Sequence, residues 1–160
     1  GYDSAGIAYF KENGKISIRK TAGKVKDLRA ICDDNDATCG IGHTRWATHG
    51  GVTNANAHPH KSGNVALIHN GIIENYHELA TTYDLEDRLI SETDTEVAAA
   101  LFDKFYDGEN PIEAIKEVIP LLYYVRKSSG CYLCSPQCQP NGCCNQQRRF
   151  LYCIRSDRIY

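Results

Sequence analysis

The sequence predicts a mixed α/β fold for residues 1–122, followed by a tail of different character from 123 to 160. Three observations carry this. Ile7, Tyr9, Ile16 and Ile18 alternate on either side of Asn13-Gly14, the period-2 signature of a β-hairpin. Val65-Ala66-Leu67-Ile68 is an apolar run of strand length that stops at His69-Asn70-Gly71. Thr93 with Glu96, and Asn110 before Pro111, are helix start signals followed by apolar residues at helical spacing.

The elements follow in order. Residues 4–18 read as the hairpin, with Asn13-Gly14 suited to a type I′ turn. Lys24 to Ile31 has a short helical pattern. After Asp33-Asp34-Asn35-Asp36, Cys39-Gly40-Ile41-Gly42-His43 reads as a buried strand with glycines where backbones approach closely. His49 to Gly63, rich in Gly, Asn, His and Pro, is a long loop of the kind that carries function. The strand at Val65 leads through the His69-Asn70-Gly71 turn to a helix around Glu74 to Tyr83. Val97, Leu101 and Phe105 mark one helix face behind the Thr93 cap, and Ile112, Ile115, Val118, Ile119 and Leu122 mark the buried stripe of the next helix. Past Leu122 no period of 2 or 3.6 survives.

Composition excludes several functions. A net charge of −2 gives no basic excess for nucleic acid or an anionic membrane, and no apolar stretch approaches the roughly 18 residues of a span. Gly1-Tyr2-Asp3 opens no signal peptide, so cytoplasm is the expected compartment. Of eight Cys, only Cys32 and Cys39 precede residue 130, which argues against a disulfide scaffold for the domain.

Polar, reactive side chains gather beside glycines in four places: His43 to Gly50, His58-Pro59-His60, His69-Asn70-Gly71 and Ser91-Glu92-Thr93-Asp94. Each has a plain structural explanation when taken singly: a surface Arg-Trp contact, loop histidines held by hydrogen bonds, a tight turn, first-turn charge on a helix dipole. His58-x-His60 is a spacing used by metal sites, but no carboxylate cluster accompanies it, and no metal is expected.

Together, Gly1-Tyr2-Asp3-Ser4-Ala5-Gly6, Gly23-Lys24-Val25, His43 to Gly50, Asn56 to His60, His69 to Tyr76 and Ser91 to Glu96 resemble the class II glutamine amidotransferase domain of the glucosamine-6-phosphate synthase (glutamine–fructose-6-phosphate aminotransferase) family, in family order. The resemblance covers residues 1–122. It implies the four-layer αββα sandwich of N-terminal-nucleophile hydrolases, here lacking its first strand and helix and its last strands. A complete relative is expected to hydrolyse L-glutamine to glutamate and ammonia. It passes the ammonia to a sugar-isomerising domain, making glucosamine 6-phosphate from fructose 6-phosphate, as a cytoplasmic homo-oligomer without cofactor.

The roles implied fit the chemistry. Arg45 forks onto the substrate carboxylate and Asp94 offsets its ammonium, with Thr48 and His49 adding hydrogen bonds. The Asn70 side-chain NH₂ and the Gly71 backbone N–H form the oxyanion hole. Trp46 belongs to the loop over the substrate, and His58 is a supporting residue. The family's nucleophile is an N-terminal Cys acting with its own α-amine. This sequence starts at Gly1 and has no Met, so the expectation is an inactive, unstable domain fragment. Residues 123–160 are expected to be out of the family's reading frame or disordered. Two other classes stay open: a non-catalytic glutamine-binding or regulatory module, and a zinc-stapled interaction domain built on Cys131-x-x-Cys134, Cys138, Cys143-Cys144 and Cys153.

Overall fold

The computed structural model describes residues 3–11, 13–32, 37, 39–47 and 50–122 in full, and the backbone alone of 130–134 and 151–155. Strand β1 (Ser4–Phe10) pairs antiparallel with β2 (Ile16–Thr21) and β3 (Gly40–Arg45), giving a sheet of order β2-β1-β3. Helix α1 (Val25–Ala30) lies against β1 and β2 and buries Leu28. A second antiparallel sheet has the order β4-β5-β6-β7, from β4 (His60–Ser62), β5 (Val65–Asn70), β6 (Gly130–Cys134) and β7 (Leu151–Arg155). Helices α2 (Tyr76–Thr82), α3 (Asp94–Phe105) and α4 (Pro111–Val118) cover the far side of that sheet. The layers therefore run helix, sheet, sheet, helices.

Period-2 alternation divides the core. Ala8 and Phe10 of β1, Ile41 of β3, and Ala66 and Ile68 of β5 fill the space between the sheets, with Ile16 and Ile18 packed alongside. Val65 and Leu67, on the other side of β5, meet Val97, Leu101 and Phe102 of α3 and Val118 of α4. Covered on both faces, β5 reads as an unbroken apolar run rather than an alternating one.

The structure departs from the sequence reading in five places. In the hairpin Gly14 takes a positive φ and Asn13 does not, and the Gly14 N–H bonds the Lys11 carbonyl, so Asn13-Gly14 does not form a type I′ turn. β4 falls inside the expected loop; at three residues it is too short to show a period, and Gly63 turns it directly into β5. Helix α3 is buried on every side from Thr95 to Phe102 instead of along one stripe, because α2 and α4 flank it while β4 and β5 lie beneath. Ile112 is exposed, since α4 turns Pro111, Ala114 and Val118 inward. Finally, β6 and β7 occupy part of a tail in which no element was expected: Gly-Cys-Tyr-Leu-Cys and Leu-Tyr-Cys-Ile-Arg are strand formers too short to stand out.

The helix starts are where the sequence signals them, with two differences in detail. Thr93 caps α3, its hydroxyl accepting from Glu96 N–H at 3.3 Å. Glu96 does not close the box on Thr93 but reaches back to Ile90 N–H, Ser91 N–H and the Ser91 hydroxyl. The Asn110 side chain makes no cap bond; instead Asp107 gathers the N–H groups of Glu109 and Asn110 ahead of α4.

Candidate functional site

A cavity of about 480 Å³ opens where β3, β5, α3 and the loop before β4 converge, within the size range of small-molecule sites, roughly 300–1,000 Å³. Arg45 and Trp46 line it from the end of β3, Asn70 and Gly71 from the end of β5, Asp94 from the start of α3, and His58 from the loop. Six of the eight residues singled out in the sequence thus share one cavity, although up to about fifty positions separate them along the chain. Thr48 and His49 lie outside the described residues, as do Cys138, Cys143 and Cys144 and the side chains of the other three cysteines proposed for zinc.

Each of these side chains has a local reason for its place. Alternation along β3 sends Ile41, His43 and Arg45 to one side, and their cross-strand partners are Ala8, Gly6 and Ser4. Arg45 is buried, with Nη1 at 3.5 Å from the Gly51 carbonyl. Burial lowers its pKa from the ordinary value while the carboxylates of Asp94 and Asp3 raise it; a guanidinium keeps its charge under such shifts. Trp46 stands at the rim, 73% exposed, and the following residue is tied down by Ala47 N–H donating to Asp3 Oδ2 at 3.1 Å.

The Asp94 carboxylate is held on both oxygens. Oδ2 accepts from Ile73 N–H at 2.8 Å, and Oδ1 accepts from Thr95 N–H at 2.8 Å and from the Thr95 hydroxyl at 3.3 Å. With its proton committed to Asp94, the Thr95 oxygen accepts from His58 Nε2 at 3.0 Å. His58 is buried, and desolvation, aided by His60, His43 and Arg45, drives its pKa far below the ordinary value, so the ring is neutral. His58 therefore positions the carboxylate through Thr95.

Asn70 ends β5, and its Oδ1 lies 2.7 Å from His43 Nε2. This contact joins the two sheets at the mouth of the cavity. Gly71 has φ +147°, a backbone conformation that side-chain-bearing residues rarely adopt, so only glycine readily turns its N–H in this direction. Below the histidines, His60 Nε2 meets the Thr93 hydroxyl at 3.0 Å, and burial depresses its pKa to about 3.

A latch outside the cavity lining ties the loop before β4 to the turn before α3. The Asn56 NH₂ donates to Gly51 O at 3.0 Å and to Glu92 Oε2 at 3.1 Å, while Glu92 N–H donates back to Asn56 Oδ1 at 3.0 Å. Gly51 N–H also donates to Glu92 Oε2, at 3.3 Å. The loop after Trp46 is thereby fixed to the turn that presents Asp94. Sequence reasoning assigned no role to His43, Thr95, Asn56 or Glu92. His43 was within reach of it, because it stands two residues from Arg45 on a strand and so shares its face.

Neither Cys32 nor Cys39 lines the cavity, and among the described residues no group of three His, Cys, Asp or Glu side chains could hold a metal ion. No helix among them is long and apolar enough to cross a membrane. The arrangement offers a fixed cation, a fixed anion and a pair of N–H donors within one small space. That set complements a zwitterionic amino acid whose side chain ends in a carbonyl.

A family model described as a glutamine amidotransferase domain matches residues 6–133. Glutamine–fructose-6-phosphate aminotransferase (isomerizing) of Geobacillus kaustophilus (strain HTA426) is 49% identical over 126 residues, covering 76% of this chain and 21% of that protein. The enzyme of the same name from Bacillus subtilis (strain 168) is 48% identical over the same shares. The chain thus spans about a fifth of the length of these relatives. Among solved structures, glutamine phosphoribosylpyrophosphate amidotransferase from B. subtilis superposes with a TM-score of 0.64 at 24% identity, covering 86% of this chain and 30% of that one. A glutamine aminotransferase class-II domain protein from Silicibacter pomeroyi gives 0.65 at 17% identity, covering 98% and 71%. The layers described above are those of the N-terminal-nucleophile αββα fold.

Proposed function

This chain belongs to the glutamine amidotransferase domain family, and from that premise we propose that its cavity binds L-glutamine and forms the glutaminase site of an enzyme making glucosamine 6-phosphate from fructose 6-phosphate. The observation that carries this reading is the convergence of Arg45, Asp94, Asn70 and Gly71 on one cavity. Arg45 forks onto the α-carboxylate of glutamine. Asp94, its lone pairs already oriented by Ile73 N–H and Thr95 N–H, receives the α-ammonium with little reorganisation. The side-chain amide then reaches the corner where the Asn70 NH₂ and the Gly71 N–H meet the charge that develops on its carbonyl oxygen. Loss of one such donor raises a barrier by about 3 kcal/mol.

Thr48 and His49 add contacts from the segment that follows Trp46 in sequence in this reading, and the released ammonia passes to a sugar-isomerising partner domain. The enzyme works in the cytoplasm as a homo-oligomer. Acyl transfer from an amide asks for a nucleophile, a base and oxyanion donors, so no cofactor is invoked. Cys32 and Cys39 lie outside the cavity, so neither serves as the nucleophile in this reading, and the 160-residue polypeptide is expected to bind glutamine without turning it over.

Calorimetric titration of the purified chain with L-glutamine tests the proposal. Saturable 1:1 heat is expected, abolished by Arg45→Ala or Asp94→Ala, with ammonia release no faster than in buffer. Absence of saturable binding in a folded sample overturns the assignment of the cavity.

A further inference from the structure

His43 and Asn70 face each other across the two sheets, and their hydrogen bond has two possible polarities. In one, His43 Nε2–H donates to Asn70 Oδ1 and the Asn70 NH₂ is left pointing at the cavity. In the other, Asn70 donates to a bare Nε2 and presents its carbonyl oxygen to the ligand. The first supplies a donor for a developing oxyanion; the second places a repelling lone pair there.

Surroundings decide between them. Among the described residues, His43 Nδ1 is buried and has no hydrogen-bond partner. A neutral imidazole carries one N–H, so a proton placed on Nδ1 becomes an orphaned buried donor, whereas a proton on Nε2 leaves only an unfilled lone pair at Nδ1. Orphaned buried N–H groups are the rarer and costlier of the two. The doubly protonated ring is disfavoured by its surroundings: burial lowers the His43 pKa from the ordinary value and the Arg45 charge adds to the shift, against the raising effect of the bond to Asn70. No described residue accepts from the Asn70 NH₂, which is exposed at the mouth of the cavity.

We infer that His43 is a positioning residue that locks the Asn70 side-chain amide with its NH₂ toward the ligand, thereby setting the cavity to recognise an oxygen rather than an amine at the end of the ligand's side chain. Through this bond, β3 supplies the carboxylate-binding Arg45 and also orients the donor on β5. The inference deepens the glutaminase reading and rests on it for the ligand, but the polarity of the bond is a property of the ligand-free protein.

Nitrogen-15 NMR on the whole 160-residue chain tests it. Without ligand, His43 is expected as the neutral Nε2–H tautomer at pH 7.5; an Nδ1–H tautomer overturns the inference whether or not glutamine binds. With L-glutamate as the probe, whose γ-carboxylate offers oxygen only, the Asn70 side-chain NH₂ resonances are expected to shift on binding. His43→Phe, which cannot donate, should weaken L-glutamate binding about tenfold and abolish that shift. His43→Gln, whose amide can donate to Oδ1, should restore both. Dispersed amide spectra of the two variants verify folding. Equal binding and equal shifts in wild type and His43→Phe, or failure of His43→Gln to restore them in a folded sample, refutes the role. Failure of the wild type to bind glutamine or glutamate sinks the glutaminase reading alone, and the tautomer then decides this inference by itself.

Discussion

Acidification should unfold this domain at a pH where most carboxylates are still ionised, because its buried histidines are held neutral. His60 illustrates the size of the effect. Its pKa is pushed from 6.5 to about 3, first by burial and then by the cations Lys20 and Arg45, while its bond to the Asn56 backbone opposes the shift. In the unfolded chain the ring takes up a proton below pH 6.5; in the folded chain it refuses one until near pH 3. Between those limits the unfolded state binds more protons, so stability falls by about 1.4 kcal/mol per pH unit. Above pH 6.5 the group contributes no pH dependence, and below pH 3 the penalty levels off. At pH 5 His60 alone costs about 2 kcal/mol, a large share of the roughly 5–15 kcal/mol that holds a domain together. His58 and His43 act in the same direction.

Urea unfolding at pH 7.5 and pH 5.0, followed by far-ultraviolet circular dichroism, measures the loss. The midpoint should drop by about 1 M or more at the lower pH, given slopes of roughly 1–3 kcal/mol per molar urea. His60→Gln removes the titrating group. It lowers stability at both pH values, yet the difference between them should shrink by about 2 kcal/mol. An undiminished difference in the variant would mean that His60 is not held neutral by its surroundings, and the electrostatic picture of the buried histidines would be wrong.

Three further outcomes are expected. Asn56→Ala removes three hydrogen bonds and strands the Glu92 N–H, so it should cost about 3 kcal/mol in urea unfolding and hasten proteolytic cleavage within residues 50–57. Gly6→Ala places a methyl group onto the His58 carbonyl oxygen, a backbone atom that cannot swing aside; thermal melting should show a loss of about 3 kcal/mol. Asp103→Ala frees Ser62 Oγ, Asn64 N–H and Arg88 from one carboxylate, and because that ion pair is partly exposed the loss should be smaller, about 1–2 kcal/mol by the same melt.

What was legible in the sequence follows from how local each signal is. The hairpin, the Val65 strand and the starts of α3 and α4 announce themselves within a few residues, through alternation, a turn dipeptide or a cap. The positions of Arg45, Asn70, Gly71 and Asp94 in one cavity are not local at all. Periodicity reveals nothing about where β3 ends relative to β5, and only the family resemblance suggested that these segments belong together. The Asn56–Glu92 latch was hidden for a different reason: both residues sit in loops, where no period constrains which side chains meet. His43 Nε2 and Asn70 Oδ1 stand 27 residues apart and meet only because the two sheets pack face to face. The shortness of β4, β6 and β7 concealed them, as three or five residues hold no more than about two and a half repeats of the period-2 pattern.

Helix α3 has a consequence for how this domain tolerates change. Its first residue, Asp94, is a wall of the cavity, while Ala98, Ala99 and Ala100 further along are wholly enclosed by the neighbouring strands and helices. Such a rod has no slack on any side, so a single added methylene at Ala99 displaces it as a unit and carries the carboxylate away from its target. Random mutagenesis scored by affinity should therefore return weakened variants at alanines far from any ligand atom, with the helix acting as a lever between the interior and the mouth.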